Sequence, residues 1–252
     1  MTEINEPFIG ITDERGYYEG GIGGIRSVEK TIKWDQKLVR RVPNAKTFLL
    51  AGCSQPRSIG VMVDFISQNY SNAINKKLFV ADIGDLAISK IKKWQQEHEN
   101  VSGVDIQIIQ GNILHLPLLE ESVDYIRLDS TQNFVKFSDQ EKFTGELARV
   151  LSKNGIISNV VKVVDQASVH RSMGESWWRA GNPPSPFYLD GCMVRKDDYY
   201  DLLMLSSKKI KDISRKLKLK CEFGESLAKS REGWFKTQHV ILSKQKSHSF
   251  FG

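Results

Sequence analysis

The chain has 252 residues, 40% of them hydrophobic and 26% charged, which is enough apolar side chain for a buried core and excludes wholesale disorder. Lys and Arg number 36 against 30 Asp and Glu, and the net charge of +6 permits anionic partners without requiring them. Cys53, Cys192 and Cys221 are odd in number and widely spaced with no Cys-x-x-Cys pair, so neither a disulfide framework nor a zinc site is indicated and reduced thiols are the simplest account.

The opening "MTEINEPFIG" is acidic and polar, without the basic-then-apolar order of a leader, and no apolar run reaches membrane-spanning length. The expectation is a soluble, cytoplasmic protein. Residues 1–34, including "GYYEGGIGGIR" (16–26), read as a separate glycine-rich arm and a possible lid. "KTFLLAG" (46–52) is a short apolar strand, followed by the polar turn "CSQPR" and a helix over 58–68 with Ile59, Met62, Val63 and Ile66 on one face. "KLFVADI" (77–83) is strand-like, and "DLAISKIKKWQQE" (85–97) is an amphipathic helix burying Leu86, Ile88, Ile91 and Trp94. "VDIQIIQG" (104–111) and "SVDYIRLDS" (122–130) read as a third and a fourth strand.

A helix is expected over 139–155, opening at Ser138 or Asp139 and stopping at Gly155. "IISNVVKVV" (156–164) is continuous and β-branched, the mark of a central strand covered on both faces. The alternation then breaks. Residues 166–194 are rich in Gly, Pro and aromatics and read as an inserted lid, 195–218 as a helix that is basic towards its end, and 217–226 and 235–246 as an antiparallel pair. Strands alternating with helices imply βαβ units and a mostly parallel sheet with helices on both faces. The main domain is expected over 35–246, with 247–252 as a tail.

The stretch 111–157, "GNILHLPLLEESVDYIRLDSTQNFVKFSDQEKFTGELARVLSKNGII", carries a resemblance. Leu116-Pro117, Glu120-Glu121, Val123-Asp124, Glu146, Arg149, Val150, Leu151 and Gly155 keep, in one register, an order similar to that of the class I S-adenosylmethionine-dependent methyltransferases. The resemblance extends over roughly 35–245. It implies a Rossmann-like, doubly wound seven-stranded sheet with an antiparallel last strand, S-adenosylmethionine as cofactor, and methyl transfer as activity.

In an open α/β sheet a ligand settles outside the carboxyl ends of the strands where strand order reverses, so the residues just after Leu50, Ala81, Gln110 and Leu128 are expected to line one crevice. The resemblance implies that Asp82 accepts the ribose hydroxyls with Ile83 beside it, that Asn112 meets the adenine edge with Ile113 on the ring, and that Gly52, Cys53 and Ser54 cradle the methionine end. Asp129 and Asn133 fall where acceptor meets methyl group, and Asp129 is also a cofactor candidate. Blander readings stand beside these: Asp82 as a helix cap, Asn112 as an Asx-turn residue, Asp124 as structural, and Glu146 with Arg149 as a helix-surface ion pair. Arg127, inside the fourth strand, either lies near the crevice mouth or meets a carboxylate.

The loop after the first strand departs from the family pattern of an acid followed by three spaced glycines. Leu50 takes the acidic position, Gly52 the first glycine, Ser54 the second and Pro56 the third. Pro56 reads as an N1 proline opening the following helix, and Arg57 either attracts the cofactor's carboxylate or is solvated. Three readings follow: a methyltransferase for a small-molecule or peptide acceptor, a methyltransferase-fold scaffold, regulator or non-methylating enzyme, and a nucleic-acid methyltransferase. No metal is needed. Methyl transfer asks for positioning, desolvation and at most a general base. His170 joins Asp129 and Asn133 as a catalytic candidate, and Tyr17, Tyr18, Trp177 and Trp178 are candidates for the acceptor pocket. The basic run over 208–220 is interleaved with Ile210, Ile213, Leu217 and Leu219 at amphipathic spacing. It reads as a solvated helix face rather than a nucleic-acid stripe.

Overall fold

Short aliphatic runs, too brief for helices and bounded by turn residues, make the parallel centre of one sheet. They are β1 (Thr47–Ala51), β2 (Lys76–Asp82), β3 (Val104–Gln110), β4 (Val123–Asp129) and the long β5 (Leu151–Val164), in the order β3-β2-β1-β4-β5. β10 (Phe235–Lys244) continues the sheet antiparallel to β5, and β9 (Leu219–Leu227) closes the edge antiparallel to β10. These seven strands reproduce the expected doubly wound sheet with a reversed last strand. The computed structural model describes residues 25–53, 56–98, 103–164, 187–189, 192–196, 201–227 and 235–245.

Two apolar layers sandwich the sheet. On one face Ile59, Met62, Val63 and Ile66 of α2 (Pro56–Asn69) and Ile88 and Ile91 of α3 (Asp85–Glu97) pack on Phe48, Leu50, Leu78 and Tyr125. α1 (Ile25–Gln36) lies on the same side against α2, with Trp34 and Asp35 buried. On the other face Phe143, Leu147 and Val150 of α4 (Gln140–Val150) and Ile210 of α5 (Ser207–Lys216) cover Leu49, Ile126, Leu128 and Ile157. The expected burial of Ile88 and Ile91 holds, Trp94 is half-buried, and the Leu86 side chain lies outside the described residues.

Two expectations are corrected. The helix expected over 139–155 ends at Val150, and β5 begins at Leu151 by pairing with Val123. The β4–β5 register then slips before Tyr125 pairs with Ile156. Gly155 fits that slip because a Cβ there would lie 2.9 Å from the Asp124 carbonyl oxygen. The helix expected over 195–218 starts only at Ser207, whose predecessor Ser206 caps it by accepting from Lys209 N–H at 3.0 Å. Ahead of it run β7 (Cys192–Lys196) and β8 (Asp201–Ser206), which with β6 (Phe187–Leu189) form an antiparallel meander.

β8 pairs in parallel with Val163 and Val164 of β5. β10 occupies the other edge of β5 through Val164, so β8 takes the edge that β4 leaves at Val160. The meander therefore stands beyond the carboxyl end of β4, against a 310 turn over Thr131–Phe134.

Candidate cofactor site

The carboxyl ends of β1 to β4 converge as the topology requires. The chain leaves β1 through Gly52, whose φ of +73° and N–H bond to the Ala81 carbonyl (2.8 Å) hold the turn close to β2. Only glycine fits: besides the left-handed φ, a Cβ would overlap the Thr131 side chain, whose hydroxyl donates to the Ala51 carbonyl at 2.7 Å. Pro56 is the first residue of α2, as expected of an N1 proline. Leu50 is 4% exposed and Cys53 2% exposed, both in the α2-side core. Ser54 lies outside the described residues.

At the end of β2, Asp82 Oδ1 accepts from Gly84 N–H at 2.9 Å, and Gly84 is the N-cap residue of α3. Ile83 beside it is 43% exposed, an apolar side chain left at the crevice. After β3, Asn112 Oδ1 accepts from Leu114 N–H at 2.8 Å, the Asx-turn geometry. Ile113 is 4% exposed and packs into the α4-side core.

Glu146 and Arg149 form an ion pair at 2.7 Å that does more than decorate the helix. Glu146 Oε1 accepts from Leu116 N–H (2.7 Å), while Arg149 donates to the carbonyls of Leu116 (3.0 Å) and Leu118 (2.9 Å). The hydrogen bond from Arg149 holds the Glu146 carboxyl below its usual range despite the opposing effect of burial. Asp124 is structural too: Oδ2 accepts from Lys46 and Thr47 N–H (2.9 and 3.1 Å), and Oδ1 accepts from Ser152 Oγ (3.1 Å).

Beyond β4 the chain makes a second strained turn at Ser130, φ +63°. Asn133, a catalytic candidate from the sequence, is fully buried. Its amide donates to the Lys162 carbonyl and its Oδ1 accepts from Lys162 N–H, both at 2.9 Å. The amide thereby clamps the turn to β5. Asp129 differs: its Oδ1 is buried without a hydrogen-bond partner. Burial raises its carboxyl above the usual range, opposed by Arg127. His170, Trp177, Trp178, Tyr17 and Tyr18 lie outside the described residues.

Arg127 meets a carboxylate. Its Nη1 lies 2.5 Å from Asp35 Oδ2 and its Nη2 donates to Thr31 Oγ1 at 2.6 Å, both partners on α1. Ser158 Oγ donates to Asp35 Oδ1 (2.6 Å) and lies 2.9 Å from His239 Nε2, and the His239 ring stacks on Trp34 at 5.4 Å. Burial pushes the His239 imidazole down to about 4, against the pull of Asp35. The signal in the sequence was the lone arginine inside an apolar strand. Nothing local named Asp35, Thr31, Ser158 or His239 as its companions.

Among the described residues no helix is long and apolar enough to cross a membrane, and no cluster of His, Cys, Asp and Glu could hold a metal ion. Residues 58–158 match the family model for a methyltransferase domain. No curated protein matches the chain in sequence. Among solved structures, a Pyrococcus horikoshii protein is similar at 11% identity and TM-score 0.61, over 94% of this chain and 100% of the other. A 1,6-didemethyltoxoflavin-N1-methyltransferase from Burkholderia thailandensis, with bound 1,6-didemethyltoxoflavin and S-adenosylhomocysteine, is similar at 8% identity and TM-score 0.57, over 91% and 84%. Magnesium protoporphyrin IX methyltransferase from Synechocystis, with its bound S-adenosylhomocysteine, is similar at 11% and 0.54, over 87% and 83%. The matched segment is similar to a methyltransferase domain, and the solved structures share the Rossmann-like, doubly wound fold of the sheet.

Proposed function

We propose that the chain binds S-adenosylmethionine across the carboxyl ends of β1 to β4 and transfers its methyl group to a small-molecule or peptide acceptor. The observation that carries this reading is the buried, unpartnered Asp129 oxygen, one strand over from the glycine turn at Gly52. A buried acceptor without a donor is costly unless something completes it. When bound, the cofactor supplies an electrophilic methyl carbon on a sulfonium. The protein's part is to bind, orient and exclude water: Gly52 gives close backbone approach, Asp82 faces the ribose, and Ile83 offers an apolar surface for the base. Asn112 keeps its turn role in the wall of the crevice, with Glu146 and Arg149 fixing the segment that follows.

The basic surface supports a small acceptor over nucleic acid. On α5, Lys216 pairs with Glu141 and Arg215 with Asp212 (2.8 Å each), while Lys209 and Lys211 lie over the rings of Phe137 and Phe223. A helix face whose cations are engaged this way is a poor phosphate track. For the acceptor pocket we carry forward Tyr17, Tyr18, Trp177 and Trp178, with His170 as the candidate base.

Calorimetric titration with S-adenosylmethionine and S-adenosylhomocysteine tests the reading. Saturable binding of both is expected, and Asp82→Ala should weaken it by about 1–3 kcal/mol if the carboxylate bonds the ribose. Absence of binding at millimolar ligand overturns the enzyme and leaves a methyltransferase-fold scaffold, the reading favoured by Leu50 at the acidic position.

A further inference from the structure

The methionine end of the cofactor carries an ammonium group, and the family acid that helps place this end is replaced by Leu50. The sheet shows what became of that place. Leu50 is in register with Arg127 of the neighbouring strand, and the Arg127 guanidinium is committed to Asp35 and Thr31 of α1. An acid at position 50 would be a second carboxylate beside that sealed pair. The next pair in register is Ala51 with Leu128, so Asp129 leaves β4 at the level where Gly52 leaves β1.

Tyr125, Arg127 and Asp129 alternate onto one face of β4, so Asp129 is the nearest carboxylate on that strand to the guanidinium. Its Oδ1 nevertheless has no partner, and neither has Arg127 Nε. Asp35 holds Nη1 and Thr31 holds Nη2, both from α1, and no direct bond from the guanidinium reaches Asp129. Asp82 stands at the end of β2, where the proposed function puts the ribose, and cannot serve both ends of one cofactor. Among the described residues, Asp129 is the carboxylate that remains beside the glycine turn.

We infer that Asp129 has taken over from the missing strand-one acid as the carboxylate that receives the cofactor's ammonium group, and that Asp35 keeps it available by holding Arg127 on α1. This rests on the reading of the crevice as an S-adenosylmethionine site. It assigns Asp129 to cofactor binding by a definite contact and takes it out of the acceptor chemistry.

The test is titration of the full chain and its Asp129→Asn variant with S-adenosylhomocysteine and with 5′-methylthioadenosine, which keeps the adenosine but lacks the amino-acid portion. The variant should bind S-adenosylhomocysteine roughly tenfold or more weakly, the size expected of a charge-assisted hydrogen bond, and bind 5′-methylthioadenosine as the parent does. Unchanged affinity for both ligands overturns the assignment while leaving the cofactor site standing. An equal loss for both also overturns it, because the residue would then be structural. A second measurement needs no variant: the analogue of S-adenosylhomocysteine without its amino group should bind the unaltered protein at least about tenfold more weakly, and equal affinity refutes the contact. If the unaltered protein binds none of these ligands, the cofactor reading itself falls, and this inference with it.

Discussion

Arg127 is a cation at 1% exposure in the middle of a sheet, and its cost is met only because Asp35 and Thr31 arrive from a helix elsewhere in the chain. Removing one partner strands the other. Arg127→Met should therefore lower the unfolding free energy by about 3–5 kcal/mol, measured by urea denaturation. The double variant with Asp35→Leu should recover most of that loss, because no uncompensated charge stays buried. His239 belongs to the same cluster and makes stability depend on pH. Its folded-state pKa of about 4 lies below the ordinary value of 6.5, so between these two values the unfolded chain binds the extra proton. Stability should fall as pH drops from 6.5 towards 4, by about 3 kcal/mol at most. Denaturation curves across that range check it, and His239→Gln should flatten the slope.

At the scale of elements, Glu146 and Arg149 have a mechanical role. Glu146 and Arg149 bind α4 to the backbone of Leu116 and Leu118, so the segment after β3 that begins with Asn112 and Ile113 is held by a helix from the opposite layer. Arg149→Ala leaves two carbonyls without their donor and should cost about 1–2 kcal/mol. Amide hydrogen exchange should quicken over 112–118 while α2 and α3 stay protected. That pattern of residues was legible in the sequence, but its purpose was not, since the contacts cross thirty positions. β7 and β8 were illegible for another reason. "DLLMLS" is a short apolar run that fits a buried helix turn or a strand equally well, and pairing with Val163 and Val164 decides it.

Across the whole molecule, the alternating segments specified the sheet well. β1 to β4 fall within a residue of their expected bounds, because a short aliphatic run bounded by turn residues leaves few alternatives, while β5 starts five residues early. The crevice followed from topology alone. Side-chain surroundings followed less: Cys53 packs in the α2-side core and Asn133 bonds the backbone of Lys162, which no local pattern shows. The direction of a side chain depends on neighbours that no local pattern names. Asp35 is the clearest case: 92 positions separate it from Arg127 and 123 from Ser158.

Those separations matter to the chain as it is being made. Asp35 leaves the ribosome long before the strand that needs it, and His239 follows another 81 positions beyond Ser158. Until then Arg127 and Ser158 lack their full set of companions, and contacts this distant are slow to form. α1 is thus made before the strands it serves, and the nascent chain carries it until β4 and β5 follow.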